Sequence, residues 1–403
     1  LLKIFHFSFF ILQFEFFNSV FTPGNRLPCH ICFVSPQLLG KRSKFILVQK
    51  SLAIDSALSD VSTSIDHYRV QVIPGQALDS ALLDDWRAVQ QSNPALQNPC
   101  FAPEFTQAVA TARNDVEVGI VEEHGKVIAI FPFQRKAGGR AIPVGGIVSD
   151  YQGLICRPDF SCDPRALLKA CGLISWDFDR LLATQQPFKP FHKLCEPSAL
   201  IDLSQGYEAY VAERRAAGTE QIKKCMNLMR RLELEVGPIR FVPRSPDPSA
   251  LTKVLAWKSQ QYRKTGWRDL FALKWGRSLV EQIRATQSES FAGMLSLLYA
   301  GENLVAGHLG MRSRSVWHYW FPAYDPRFAK YSPGLILLLK MAEHAPQIGL
   351  RTIDLGTGLT LYKRRLMNAS ISVAEGSVER PSWLSFLRAA RRKAKRLVHV
   401  RNG

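Results

Sequence analysis

From Tyr68 onward, apolar and polar positions alternate and recur with a regular grammar. A short strand over Tyr68–Val72 precedes a helix over Leu78–Gln90, and a link from Asn93-Pro94 to Ala102-Pro103 leads into a second helix. Two apolar runs, Val116–Val121 and Val127–Phe133, flank Glu122-Glu123-His124-Gly125-Lys126, which predicts a hairpin. Strand signals at Tyr151–Cys156 and Trp176–Leu181 bracket a helix over Arg165–Leu173. About 175 residues later the order returns: strand Ile239–Val242, helices Ser249–Lys264 and Lys274–Thr286, then strands Phe291–Tyr299, Leu304–Met311 and Val316–Phe321. A helix over Pro333–His344 and a strand over Arg351–Leu355 complete this second unit. The repeated order predicts a tandem duplication of α/β (α+β) domains. Between the halves, Gly206–Leu234 reads as one long helix with Ile222, Cys225, Met226 and Met229 on a core stripe. Lys223, Lys224, Arg230 and Arg231 lie off that stripe, as a solvated basic face or as the wall of an anion site.

Composition narrows the class. With 403 residues, 46% hydrophobic and 21% charged, the chain is expected to fold into two or three units that each bury a core. The formal charge of +18 favours anionic partners, and eight of the cations stand after Glu379 with no acid among them. There, Pro381–Val398 places Trp383, Phe386, Leu387, Ala390, Ala394 and Leu397 on one helical face. That basic amphipathic helix, assigned to 381–403, could pack on the domain, lie on acidic lipid or bind tRNA. Eight cysteines are too few for a disulfide scaffold and are read as reduced thiols. Cys29 and Cys32 form a C-x-x-C without a second pair nearby, so no metal is assigned. The Phe-rich start carries Lys3, His6, Gln13 and Glu15, which argues against a spanning helix or a cleaved signal. The first methionine is Met226, and residues 1–66 are expected to be an extension, non-native or disordered.

Candidate chemistry clusters late in the chain. Lys330-Tyr331-Ser332-Pro333-Gly334 opens a helix directly after a strand. Ser332 suits an N-cap, Pro333 the first helical position, and Gly334 leaves room for close approach of a ligand. Such a terminus, with Lys330 beside it, is either a phosphate site or an ordinary capped helix. After the last strand, Asp354-Leu355-Gly356-Thr357-Gly358 makes a close turn, and Leu361-Tyr362-Lys363-Arg364-Arg365 follows. Tyr362 could protonate a departing thiolate while Lys363 and Arg364 hold anionic groups; a packed tyrosine with two surface cations is the simpler alternative.

Tyr324-Asp325-Pro326, Tyr331-Ser332-Pro333-Gly334, Asp354-Leu355-Gly356 and Tyr362-Lys363-Arg364 stand in that order, with Gln261-Tyr262-Arg263-Lys264-Thr265-Gly266 upstream. Together they resemble the GNAT-type acetyltransferase proteins called CelD-like, after cellulose biosynthesis, which are related to the FemAB acyltransferases. Phe131-Pro132-Phe133-Gln134 and Pro143-Val144-Gly145-Gly146-Ile147-Val148-Ser149-Asp150-Tyr151 resemble the amino-terminal half of that group. The resemblance spans about residues 68–380. It implies two GNAT-like domains, each a mixed, mostly antiparallel sheet flanked by helices: 67–200 as scaffold or acceptor-binding domain, 201–380 as catalytic domain. It also implies an N-acyltransferase whose co-substrate is acyl-CoA (acetyl-CoA) or acyl-carrier protein, with aminoacyl-tRNA in a FemAB-like alternative. The acceptor would be an amine-bearing small molecule or saccharide in polysaccharide or envelope biosynthesis, with the protein cytoplasmic or peripheral at the inner membrane.

By position, Lys330, Tyr331, Ser332 and Gly334 would serve the donor, Tyr362 would be the acid, and Gln261, Arg263, Asp354, Lys363 and Arg364 would contact substrate. His318 enters as a base on chemical grounds alone, because its pKa lies near neutrality. The usual phosphate loop of the family, R/Q-x-x-G-x-G/A, is here reduced to Gly334 after a proline. Two rivals stand beside the acyltransferase: a non-catalytic GNAT-fold assembly factor for polysaccharide synthesis, and an RNA-binding protein.

Overall fold

The computed structural model describes residues 63–65 and 68–381. Expectations for the amino-terminal extension, for Cys29 and Cys32 and for the basic tail helix fall almost wholly outside these residues. In chain order the elements of the first half are β1 (Thr63–Ile65), β2 (Tyr68–Pro74), α1 (Ser80–Ser92), α2 (Pro103–Ala112), β3 (Val116–Glu123), β4 (Lys126–Lys136) and β5 (Arg140–Pro143). They continue with β6 (Ile155–Cys156), α3 (Pro164–Ala170), β7 (Ser175–Leu182) and β8 (His192–Asp202). Next come α4 (Tyr207–Ala216) and α5 (Gln221–Val236). The second half runs β9 (Ile239–Val242), α6 (Pro248–Thr265), α7 (Lys274–Ala285), β10 (Ala292–Ala300), β11 (Asn303–Arg312), β12 (Val316–Tyr324) and α8 (Pro333–His344). It ends with β13 (Thr352–Thr357), α9 (Leu361–Leu366) and β14 (Ala369–Glu379).

Local chemistry accounts for most of these boundaries. Asp79 caps α1 by accepting from the Leu82 amide, and Asp247 and Asp163 cap α6 and α3 with proline at the first helical position. His124 and Gly125 turn the β3–β4 hairpin with φ of 50° and 76°, the paired positive values of a type I′ turn. The single helix expected over Gly206–Leu234 is instead two. Gly218 takes φ 75°, its amide bonds to the Arg215 carbonyl and the Thr219 amide to that of Arg214, which is the Schellman pattern that ends a helix. The strand expected over Tyr151–Cys156 shortens to β6, with Gln152 bridging Leu181 in front of it.

All fourteen strands join one sheet, ordered β1-β2-β3-β4-β5-β7-β14-β8-β13-β12-β11-β10-β9, with β6 paired to β4. The two halves run inward to the centre along matching paths: β5 pairs β7 in parallel, and β12 pairs β13 in parallel. At the centre the last strands are exchanged. β14, from the second half, lies between β7 and β8, while β8, from the first, lies between β13 and β14. Each half therefore completes its hydrogen-bond ladder with the other's closing strand. Helices α1, α2, α6 and α7 share one apolar core, in which Trp86, Phe105 and Val109 belong to the same buried cluster as Leu279, Ile283 and Phe321. A second core joins α5, α8 and α9 to the sheet, and a third packs α3 against β2, β4, β7 and β14.

The exchange predicts a single cooperative unit. A Cβ on Gly376 of β14 would stand 2.2 Å from the Phe191 carbonyl oxygen and 2.6 Å from the Phe178 ring. Gly376→Val is expected to cost about 3 kcal/mol. In urea, followed by tryptophan fluorescence and far-UV circular dichroism, both signals should shift together to lower denaturant. Loss of the second half alone, or unchanged stability, would show that the exchanged strand does not bind the halves.

Candidate active site

The parallel pairing of β12 and β13 stops early. Val316, Trp317 and His318 oppose Thr352, Ile353 and Asp354, after which β12 continues against β11 and β13 against β8. The two strands part just beyond His318 and Asp354. Gly356, at φ 73°, makes the bulge that turns β13 aside, and its amide donates to Asp354 Oδ1 at 2.8 Å. On the other side, β11 shifts register between Leu309 and Met311, and buried His308 accepts from the Trp320 amide through Nε2 at 3.1 Å. That acceptor role leaves the proton on Nδ1. Burial pushes the His308 pKa down to about 3, so the ring is neutral.

A cluster of buried polar side chains fills the parting, drawn from both halves. Asp150 arrives on the segment after β5, where Gly145 and Gly146 take φ of 81° and 52° and the Trp320 indole donates to the Val148 carbonyl at 2.9 Å. Its Oδ2 lies 3.0 Å from His318 Nε2, a close charge contact lying off the line of an ideal N–H···O bond. His318 Nδ1 stands 3.9 Å from Asp354 Oδ1, and Asn98 Nδ2 donates to Asp354 Oδ2 at 2.8 Å. Arg180, on β7, places Nε 3.7 Å from Asp150 Oδ1. Lys363, on α9, donates to the carbonyls of Gly356 at 3.1 Å and Thr357 at 2.6 Å. Asn98, Asp150 and Arg180 belong to the first half; His318, Asp354 and Lys363 belong to the second.

The carboxylate of Asp150 is the most exposed of this group: its side chain is 14% exposed, against 0% for His318 and 2% for both Arg180 and Asp354. It borders a crevice of about 10 Å³, room for about one water, lined also by Val148, Trp320, Gly356, Thr357 and Lys363. Burial disfavours the His318 imidazolium, but contact with Asp150 and the charges of Asp150 and Asp354 outweigh it and raise the pKa. Burial likewise works against ionised Asp150, and there His318, Arg180 and Lys363 prevail and hold the pKa below the ordinary carboxyl value. For Asp354 burial wins, and its pKa is raised. Burial lowers Lys363 to about 8 against the pull of Asp150 and Asp354.

The sequence-derived candidates fall into separate places. His318, Asp354 and Lys363 meet in this cluster. Tyr362, one residue before Lys363, is buried in the apolar core under α5 with its hydroxyl unpartnered, and burial pushes its pKa up. Arg364 is exposed on α9 and donates to the Leu359 carbonyl. Gln261 is half-buried and Arg263 exposed on α6, outside the cluster.

The start of α8 differs from expectation. Ser332 is no side-chain N-cap: it sits at φ 52°, and it is its carbonyl that accepts, from the Leu335 and Ile336 amides. Pro333 and Gly334 are buried, and the Gly334 carbonyl accepts from Tyr319 Oη at 3.2 Å. Lys330 Nζ pairs with Glu235 at 2.8 Å, and Tyr331 Oη donates to the same carboxylate. The terminus is thus sealed by the protein's own contacts and does not face outward.

Sequence reasoning missed Asp150, Arg180, Asn98 and Lys258. Lys258 is buried on α6, donates to the Pro322 carbonyl at 3.2 Å, and is lowered to about 7 by burial and the charge of Lys363. Its signal was available: with Leu251, Val254 and Leu255 it occupies i, i+3, i+4 and i+7, a lysine where the helix turns to the core. Asp150 stood only within the Pro143–Tyr151 block, and nothing before folding ties it to His318.

The pair sets a pH window. The raised pKa of His318 contributes stability fully present below its unfolded value of about 6.5 and lost as pH rises through the folded value. The lowered pKa of Asp150 contributes stability present above about 3.8 and lost as pH falls through the folded value. The stability gap between wild type and Asp150→Asn, from urea titrations, should therefore be widest near about pH 5.5 and narrow toward alkaline pH. A gap that widens with pH would contradict the assignment.

With the geometry in hand, the chain can be set beside known proteins. No curated protein matches the sequence. Among solved structures, FemX superposes with a TM-score of 0.50 at 12% identity, covering 73% of this chain and 94% of that one. A tandem GNAT protein from the clavulanic acid biosynthesis pathway gives 0.44 at 11% identity, covering 78% and 99%. The C-terminal domain (DUF2156) of a putative lysylphosphatidylglycerol synthetase from Agrobacterium fabrum gives 0.45 at 12%, covering 73% and 92%. At these identities the likeness to FemX concerns the fold, a mixed, mostly antiparallel sheet with helices on both faces. Residues 219–364, from the turn before α5 through the middle of α9, match the acetyltransferase (GNAT) domain, Acetyltransf_6.

Proposed function

We propose that the protein is an N-acyltransferase that passes an acyl group from a thioester donor to an amine at the parting of β12 and β13. One observation carries the reading: an ionised carboxylate, Asp150, is delivered from one half to a buried histidine of the other, His318, at the mouth of that parting. Ionised Asp150 at the crevice attracts the acceptor's ammonium. His318 in its neutral form, behind Asp150, takes the proton, and the freed amine attacks the acyl carbon. The new C–N bond forms as the C–S bond breaks, the departing sulfur takes the hydroxyl proton of Tyr362, and the second proton, shed by the nitrogen as it becomes an amide, restores that phenol. Support for the role of Tyr362 is positional: its hydroxyl is buried with no hydrogen-bond partner and its O–H is free to donate. Lys363 fixes the Gly356–Thr357 turn through its two carbonyl contacts and keeps α9 against the parting.

The match of residues 219–364 to a GNAT domain supports acyl-CoA, acetyl-CoA among them, as donor; acyl-carrier protein is the other thioester. The likeness of the residue blocks to CelD-like proteins supports a saccharide or envelope amine as acceptor, met in the cytoplasm or at the inner face of the membrane. No helix among the described residues is long and apolar enough to cross a membrane. In this reading the site belongs to neither the 67–200 nor the 201–380 segment alone. The near-closed crevice favours a second reading, a non-catalytic assembly factor with the same fold.

Transfer from acetyl-CoA to a panel of amino sugars separates the two. His318→Gln and Asp150→Asn should each lower kcat about 10²-fold or more, and Tyr362→Phe about tenfold or more. In wild type, kcat/KM should rise with pH through the raised pKa of His318; in Asp150→Asn the residual activity should rise at lower pH, because the carboxylate no longer supports the imidazolium. Unchanged rates in all three variants would reject the acyltransfer roles, and full in vivo complementation by them would favour the assembly factor.

A further inference from the structure

Building on the acyltransfer reading, we propose that the donor's phosphates are held in a basic cleft between the α4–α5 turn and α9, not at the start of α8. The cleft measures about 850 Å³ and is lined by the cations Arg214, Lys223, Lys224, Arg231, Arg364 and Arg365. Its single lining carboxylate is Glu220. Three of the cations are neutralised by neighbours: Lys223 by Glu220 at 3.7 Å, Arg231 by Glu235 at 2.5 Å, and Arg214 by Glu213 at 2.9 Å. Among the described residues, Lys224, Arg364 and Arg365 have no carboxylate partner. Arg364 and Arg365 are instead set in place by neutral oxygens, the Leu359 carbonyl and Gln221 Oε1, which orients their guanidinium groups without cancelling their charge. Unpaired, oriented guanidinium groups beside a free ammonium form an arrangement that recognises phosphate oxygens.

Two further facts favour this place. At the start of α8, the ammonium of Lys330 and the hydroxyl of Tyr331 are both engaged by Glu235, and Gly334 is buried. Meanwhile α9 faces both regions: Arg364 and Arg365 line the cleft, while Lys363, next in sequence, sits in the polar cluster and Tyr362 is buried in the core. To reach the cluster, the acyl arm of a donor anchored there would have to pass α9, a helix roughly 10 Å across. The volume suits a small phosphoanhydride-bearing molecule, a nucleotide thioester rather than a folded RNA, which needs a surface and not a cavity.

Isothermal titration of the full chain with inorganic pyrophosphate, acetyl-CoA and a short tRNA acceptor-stem RNA tests this. Lys224→Glu and Arg365→Glu, each checked for an unchanged thermal transition, should weaken pyrophosphate and acetyl-CoA about tenfold or more, and Lys330→Ala less than about twofold. Lys224 is exposed and makes no contact that folding requires, so it remains informative should Arg365→Glu fail to fold. Affinity lost in Lys330→Ala and kept in Lys224→Glu would overturn the inference, as would RNA binding far tighter than acetyl-CoA through the same residues. Transfer by Lys224→Glu with an unaltered KM for acetyl-CoA would overturn it while sparing the acyltransfer reading. Pyrophosphate held in the cleft by a wild-type protein that transfers nothing would reject that reading and leave the phosphate site standing.

Discussion

The hydrogen-bond ladder between β8 and β14 is the constraint on which everything else rests. Each of these strands closes the sheet of the half it does not follow in sequence, and the two pair with one another along the middle of the molecule. Neither half can satisfy its central backbone groups alone, and unpaired amides and carbonyls at a sheet's interior edge are costly. The exchange therefore fixes the halves as one sheet. It also sets the segment after β5, with Asp150, against the parting of β12 and β13. A site drawn from both halves thus sits within one continuous sheet.

The polar cluster at that junction is expensive to maintain. A carboxylate, an imidazole, a second carboxylate, a guanidinium and an ammonium are withdrawn from water almost completely, and pairing seldom compensates such desolvation in full. Structural need does not explain it, since apolar residues of similar volume would pack there at least as well. Groups whose ionisation is pushed in opposite directions by burial and by one another are what acid–base chemistry requires. Asp150 is held ionised, His318 is made more basic, and Lys258 and Lys363 are brought toward neutrality by burial.

Periodicity carried most of the architecture. The repeated order of strands and helices, the β3–β4 hairpin and the helix after Pro333 are local signals, set by side-chain spacing, turn residues and proline, and they are legible before folding. The strand exchange was not: the sequence reading placed no strand at β8 or β14, and their partners lie more than a hundred residues away. The break at Gly218 escaped notice because the apolar stripe continues past it, while the backbone ends the helix through a left-handed glycine. At the site, His318, Asp354 and Lys363 stood near strand ends and were visible. The helix start at Ser332 looked like an anion site only because sequence cannot show that Glu235, about a hundred residues earlier, already occupies Lys330 and Tyr331. Asp150 and Arg180 are ordinary surface-type residues in the sequence, and long-range packing alone makes them central.

If the reactive unit is truly assembled across the two halves, Asp150 and His318 must act as one. A double-mutant cycle on kcat/KM, comparing Asp150→Asn, His318→Gln and the combined variant, measures that directly. The combined variant should lose little more than the more damaging single change, because either substitution already disables the pair. Losses that multiply would mean that the two residues act independently, and that the junction of the halves is a structural seam and not a reaction centre.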